Sequence, residues 1–117
     1  MRARLNALLR RAPLTEQLAT LGVGNLLLNR LDRSVRRGER GVELQPREFA
    51  LLETLMLHAG QIVTRTMLLE SVWDMHFDPQ TNIVESHISR LRGKISAGDE
   101  PQLIHTVRGA GYMIRAD

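Results

Sequence analysis

The stretch from Thr81 to Ile95, TNIVESHISRLRGKI, constrains the chain more than any other. Val84, Ile88, Leu91 and Ile95 fall at i, i+4, i+7 and i+11, which is one apolar stripe at helical spacing. A wheel advancing about 100° per residue puts Asn82, Ser86, Ser89, Arg90 and Gly93 on the opposite side, with Ile83 beside Arg90. Arg92 and Lys94 flank the stripe. The outward face is therefore small and polar, with one arginine and one isoleucine expected to be exposed. A solvated helix face more often carries Glu and Lys at i,i+4. Small side chains instead let a helix backbone enter a groove deeply, and an arginine there can pair with the O6 and N7 of a guanine.

The neighbours of this helix in the chain decide between those two roles. On its C-terminal side, Leu103-Ile104-His105-Thr106-Val107 alternates as a strand, Arg108-Gly109-Ala110-Gly111 is a turn, and Tyr112-Met113-Ile114 returns as a second strand. Two further helices precede it. Pro46 suits a first helical turn, and Glu48 sits where it can reach back to the cap. Phe49, Leu51, Leu52, Leu55 and Met56 make that helix apolar nearly all round, with Gly60 as its expected stop. Thr64 is the expected N-cap of the next helix, with Val63 and Leu68 placed for a hydrophobic staple and Leu68, Leu69, Val72 and Trp73 as its buried face. Upstream, Leu26-Leu27-Leu28, Ser34-Val35-Arg36 and Val42-Glu43-Leu44 are short strand runs, and Arg36 to Gly41 reads as a hairpin turn. The expected fold is α+β: a small N-terminal antiparallel sheet, three helices and a C-terminal β-hairpin wing, which is a winged helix-turn-helix.

Composition narrows the chemistry. A chain of 117 residues can bury one modest core. It has no cysteine, so neither disulfides nor thiolate metal sites are available. No apolar run approaches the roughly 18 residues of a membrane span, and no signal-peptide core opens the chain, so no membrane partner and a cytoplasmic location are expected. The net charge is +3, but residues 1–40 hold nine arginines against three acids, and residues 41–117 hold seven basic groups against ten acidic ones. A nucleic-acid site in the second part must come from local arrangement rather than overall charge. Arg2 to Arg11 reads as a short amphipathic helix ended by Pro13. Residues 1–17 are accordingly set apart from a domain at 18–117.

Four motifs occur in order: Leu44-x-Pro46-x-Glu48-Phe49-x-Leu51-Leu52, Leu69-x-x-Val72-Trp73, His87-Ile88-Ser89-Arg90-Leu91-Arg92 and Thr106-Val107-Arg108-Gly109-x-Gly111-Tyr112. Together they resemble the effector domain of OmpR/PhoB-type response regulators over about residues 20–115. Residues 1–17 resemble the end of a receiver domain and its linker, and no receiver is expected in the chain, since no phosphoacceptor pocket lies upstream of Arg11. The resemblance implies a transcription regulator that binds direct repeats of double-stranded DNA, contacts RNA polymerase, and is controlled by a sensor kinase acting through a receiver.

By position, the resemblance assigns phosphate contact to Asn82, His87, Ser89, Thr106 and Tyr112, with Trp73 near the backbone. Ile83, Glu85, Ser86 and Arg90 would face bases, Arg108 would enter the minor groove, and Arg92 and Lys94 complete the expected DNA surface. The loop Asp74, Met75, His76, Phe77 and Asp78 would meet polymerase. Three positions depart from the family pattern. Gln45 stands where a capping threonine is usual, Glu85-Ser86 replaces a common Asp-Val pair, and Gly93 occupies a position often basic or large.

Two other readings compete. Asp74, His76 and Asp78 could ligate a metal, but no fourth ligand has helical or strand spacing to them. No nucleophile–base pair and no Gly-rich phosphate loop can be argued, so no enzyme, cofactor or metal is expected. The alternative is a winged helix used only for protein contacts, in which Arg90 and Arg108 have no special purpose.

Overall fold

Four short strands lead into three helices, and a two-stranded hairpin closes the chain. The computed structural model describes residues 19–116. The expected amphipathic helix at Arg2–Arg11, and with it the proposed remnant at 1–17, lies outside the described residues. Strands β1 (Thr20–Val23), β2 (Leu26–Asn29), β3 (Ser34–Arg37) and β4 (Arg40–Val42) form an antiparallel sheet in sequential order. Period-two alternation sends Leu26, Leu28, Val35 and Arg37 to the buried face and leaves Leu27 outside. Strand β1 is not among the expected runs, because Gly22 interrupts its apolar pattern. The last strand covers Arg40–Val42 instead of Val42–Leu44, which reduces the turn to Gly38 and Glu39.

Helix α1 (Pro46–Leu57) buries Phe49, Leu51, Leu52, Leu55 and Met56 as expected and leaves Leu57 exposed. The Glu48 carboxylate accepts from the Gln45 N–H at 2.8 Å, so the reach-back half of a capping box forms although Gln45 replaces the usual threonine. The helix ends at Leu57, and Gly60 comes later, donating its N–H to the Ile114 carbonyl at 2.9 Å. Helix α2 (Arg65–Trp73) is capped as expected, with the Thr64 hydroxyl accepting from the Met67 N–H at 3.1 Å. Val63 and Leu68 are both fully buried. Trp73 is only half-buried, at the edge of the face assigned to it.

Helix α3 (Ile83–Ile95) starts one residue before its apolar stripe, and all four stripe residues are buried. Strands β5 (Ile104–Val107) and β6 (Gly111–Ile114) form the wing. Val63 pairs with Tyr112 through reciprocal backbone bonds of 2.7 and 2.9 Å, so the α1–α2 connection docks on the wing as a short third strand. That docking requires Gly111. A Cβ there would lie 2.2 Å from the Val63 carbonyl oxygen, with φ at +153°.

Candidate nucleic-acid interface

Burying one stripe of α3 leaves an outward face of Asn82, Glu85, Ser89, Arg90 and Gly93, all exposed, with Ser86 half-buried among them. Ile83 is not the exposed residue that the wheel suggests. It is half-buried and packs against the core, because it sits on a shoulder of the helix and not at its outer crest. This shoulder faces α1, and the other faces the wing.

On the α1 shoulder lies a cleft of about 530 Å³ lined by the start of α1 and by His87, Arg90 and Lys94. Lys94 is engaged within the protein. Its ammonium sits 2.6 Å from the Glu48 carboxylate, which is 1% exposed. Burial alone would raise the Glu48 pKa, but the hydrogen bonds from Lys94 and the Gln45 N–H outweigh it and hold the carboxyl below its ordinary value. His87 directs Nδ1 to the Ile83 carbonyl at 2.8 Å and stands edge-on to Trp73, with centroids 5.1 Å apart. With Nδ1 turned to that carbonyl, Nε2 is the ring nitrogen left for an outside partner. Arg47 makes the other contact with this ring, 5.9 Å from the Trp73 centroid, and donates to the Val72 carbonyl.

On the wing shoulder, Arg92 donates to the Ile104 carbonyl at 3.2 Å and to the Thr106 hydroxyl. It therefore braces the wing against α3. Tyr112 is 8% exposed, its phenol pushed up by burial, so only the rim of this side chain reaches the surface. Arg108 is exposed at the turn, where Gly109 takes φ +74°. Among the described residues neither the Arg108 nor the Arg90 side chain makes a hydrogen bond or ion pair.

Arg65 gives no signal in the sequence. From the first turn of α2 its guanidinium meets Asp78 at 2.6 Å, Glu85 at 2.8 Å and the Thr81 carbonyl. The hydrogen bonds to Asp78 and Glu85 hold its pKa above the ordinary arginine value, and Asp78 in turn is held below the usual carboxylate range by Arg65. Glu85, expected to face bases, is thus tied on one side to α2. In the loop before α3, Asp74 adopts a left-handed conformation at φ +54° that turns the chain out of α2. Met75 is half-buried against the core, so it is not presented as the other loop residues are. Phe77 is 70% exposed, and the His76 Nε2 lies 3.8 Å from the Asp74 carboxylate. Asp78 is committed to Arg65, so Asp74, His76 and Asp78 do not converge on one point.

A helix presented by two others, with a hairpin braced against its side, is a winged helix-turn-helix, a DNA-binding class. The chain belongs to the family described as "Transcriptional regulatory protein, C terminal", whose profile matches residues 38–114, and within it to the OmpR/PhoB-type response-regulator domains. This family regulates transcription and is not a class of enzymes. The chain is 40% identical over 112 residues to the transcriptional regulatory protein CusR of Escherichia coli K12, covering 96% of this chain and 49% of that protein. It is 41% identical over 115 residues to the response regulator MprA of Mycobacterium tuberculosis H37Rv, covering 97% and 50%. It spans about half the length of these relatives. Among solved structures, the Klebsiella pneumoniae RstA DNA-binding domain in complex with the RstA box is similar at a TM-score of 0.74 and 36% identity, covering 82% of this chain and 96% of that one. The DNA-binding domain of CpxR from E. coli is similar at 0.74 and 34%, covering 83% and 96%.

Proposed function

We propose that this chain is the sequence-reading part of a two-component response regulator, with α3 in the major groove of duplex DNA and the wing along the adjacent minor groove. The observation that carries this is the contrast among arginines. Arg92 is consumed by the wing, while Arg90 on α3 and Arg108 on the wing tip are exposed with no partner among the described residues. Both point charges stand beside small side chains, which suits close approach to a duplex. In this reading Arg90 pairs with a guanine, with Ser86 beside it, and Asn82, Ser89, Thr106, the Tyr112 hydroxyl and His87 meet phosphates near Trp73. Arg108 occupies a minor groove that A·T-rich sequence narrows. Lys94 and Arg92 act from behind, by fixing α3 against α1 and the wing. The RstA neighbour, solved with its box, supports the DNA partner by analogy.

The whole regulator would bind direct repeats, be controlled by a sensor kinase through a receiver domain, and meet RNA polymerase through residues 74–78, of which exposed Phe77 is the natural anchor. The test is selection of bound sites from random duplexes, then a salt titration on the selected site. Binding that falls steeply with salt is expected. Arg90→Ala should lose about 1–3 kcal/mol on that site and flatten one position. Failure to bind any duplex would instead favour a winged helix used for protein contacts.

A further inference from the structure

We propose that Arg65 is a specificity-determining residue: it holds Glu85 as an acceptor for the exocyclic amino group of a cytosine. This rests on the DNA-binding reading and names a base contact within it.

A bare carboxylate at the rim of a groove lined by phosphates is repelled, and a free glutamate side chain also loses rotamer entropy on binding. Neither penalty falls fully on Glu85. The Arg65 Nε–H donates to its Oε2 at 2.8 Å, which offsets the charge and fixes the rotamer. Arg65 is itself held: Asp78 takes one terminal nitrogen at 2.6 Å and the Thr81 carbonyl takes the other. Each of the three guanidinium nitrogens thereby has a partner, and only a quarter of the side chain is exposed, which makes it a poor candidate for contacting a phosphate. The second oxygen of Glu85, Oε1, has no partner among the described residues, and the side chain is 45% exposed. It lies one residue from Ser86, at the start of the helix and on the shoulder toward the wing. A carboxylate oxygen accepts and cannot donate. In the major groove it therefore selects an amino group, and cytosine N4 is the standard match.

The experiment uses the 117-residue chain and measures competition among duplexes carrying each of the four bases at every position of its selected site. Wild-type protein should prefer cytosine at one position by about tenfold. Glu85→Ala and Arg65→Ala should both flatten that position while leaving the guanine position of Arg90 intact. Glu85→Gln should move the preference from cytosine to a base that offers an acceptor, guanine or thymine, since Arg65 takes the amide oxygen and leaves the NH2 facing outward. That change of identity is something a merely structural role for Glu85 would not produce. Arg65→Lys, which keeps the charge but loses the fork, should restore only part of the discrimination. If wild type selects a site and Glu85→Ala keeps its full profile, the inference falls and the DNA-binding reading stands. If Glu85→Ala flattens the position and Arg65→Ala does not, Glu85 acts alone and the role of Arg65 is overturned. If wild type selects no sequence at all, the DNA-binding reading falls and the inference goes with it.

Discussion

The two ends of α3 are held by opposite means. At the C-terminal end, Arg37 on β3 is 3% exposed and donates to the Ile95 carbonyl, the Ser96 hydroxyl at 3.0 Å, the Pro101 carbonyl at 2.9 Å and the Asn25 side chain. Arg40 adds a bond to the Lys94 carbonyl at 3.2 Å and pairs with Glu100. These guanidiniums satisfy carbonyls that a helix leaves open at its end, and they place positive charge where the helix dipole is negative. At the N-terminal end Val84 is buried, but Asn82 makes no side-chain cap, and the polar hold comes from Arg65 and two partly exposed acids. One end is built into the core of the sheet. The other is held by charges that water, salt and a ligand can reach. A helix fixed at its tail and adjustable at its head can present a constant axis while its first turn adapts to a surface.

The largest effect is expected where the hold is buried. Arg37→Ala removes one cation from four acceptors and leaves the buried Ile95 carbonyl without its donor, while the Pro101 carbonyl keeps the Ser96 hydroxyl at 3.1 Å. An unpaired buried carbonyl costs about 1–3 kcal/mol and the other lost charged bonds add to it, so the substitution should lower stability on the order of 3 kcal/mol. Urea unfolding monitored by the fluorescence of Trp73, the only tryptophan, measures this directly. A loss below about 1 kcal/mol would mean that water replaces the guanidinium, and the contrast between the two ends would disappear.

Next comes Glu48, which joins the middle of the anchored half to α1 through Lys94. Its folded pKa lies below the ordinary 4.5. A depressed carboxyl stabilises the fold above its unfolded pKa, and that contribution is lost as pH falls through the folded value. Glu48→Gln should therefore be less stable than wild type at neutral pH by about 1–2 kcal/mol, a charged hydrogen bond discounted because Lys94 is 38% exposed. The gap should close as pH drops below 4.5 and the wild-type carboxyl protonates. A gap that persists in strong acid would assign the loss to packing.

Arg65→Ala probes the other end and should do less. Its partners lie near the surface, so their attraction is screened, and the shift in urea midpoint should be smaller than for Glu48→Gln and should shrink as salt is added. Arg37→Ala should show no such salt dependence. If both substitutions responded alike to salt, the two ends would not differ in kind.

Much of this architecture is legible in the sequence, and the reason is local. The stripe of α3, the cap at Thr64 and the hairpin after Leu103 rest on spacings within one or two turns, which periodicity reports directly. The arginines are not legible in the same way. Arg37 reads as part of a hairpin turn because its partners lie as far as 64 positions away, and nothing in the local pattern marks it as buried. Arg92, Lys94 and Glu85 read as surface groups for the same reason. A helical wheel says which way a side chain leaves the helix, but not whether a neighbour such as Thr106, Glu48 or Arg65 waits there. Ile83 fails at the boundary between face and shoulder, where a rotation of a few tens of degrees separates exposure from contact. The wheel sorts α3 by direction; only the fold sorts its charges into those spent on the protein and those left for a partner.

Gly93 offers the smallest and most discriminating shift. It lies near the centre of the outward face of α3, and a Cβ built there meets nothing within 4 Å. Gly93→Ala should therefore stabilise the fold by roughly 0.5–1 kcal/mol, because alanine loses less backbone freedom on becoming helical. The gain depends on the anchored end staying helical around position 93. In an Arg37→Ala background, where that end can fray, part of it should vanish, and the double-mutant cycle reads the coupling. DNA affinity should move the other way, since the added methyl stands on the face proposed to enter the groove. Stability rising while affinity falls would separate the scaffold role of this helix from its reading role at a single atom. A methyl that raised both would mean that this face does not approach a duplex closely, and that the small residues of α3 serve something other than depth.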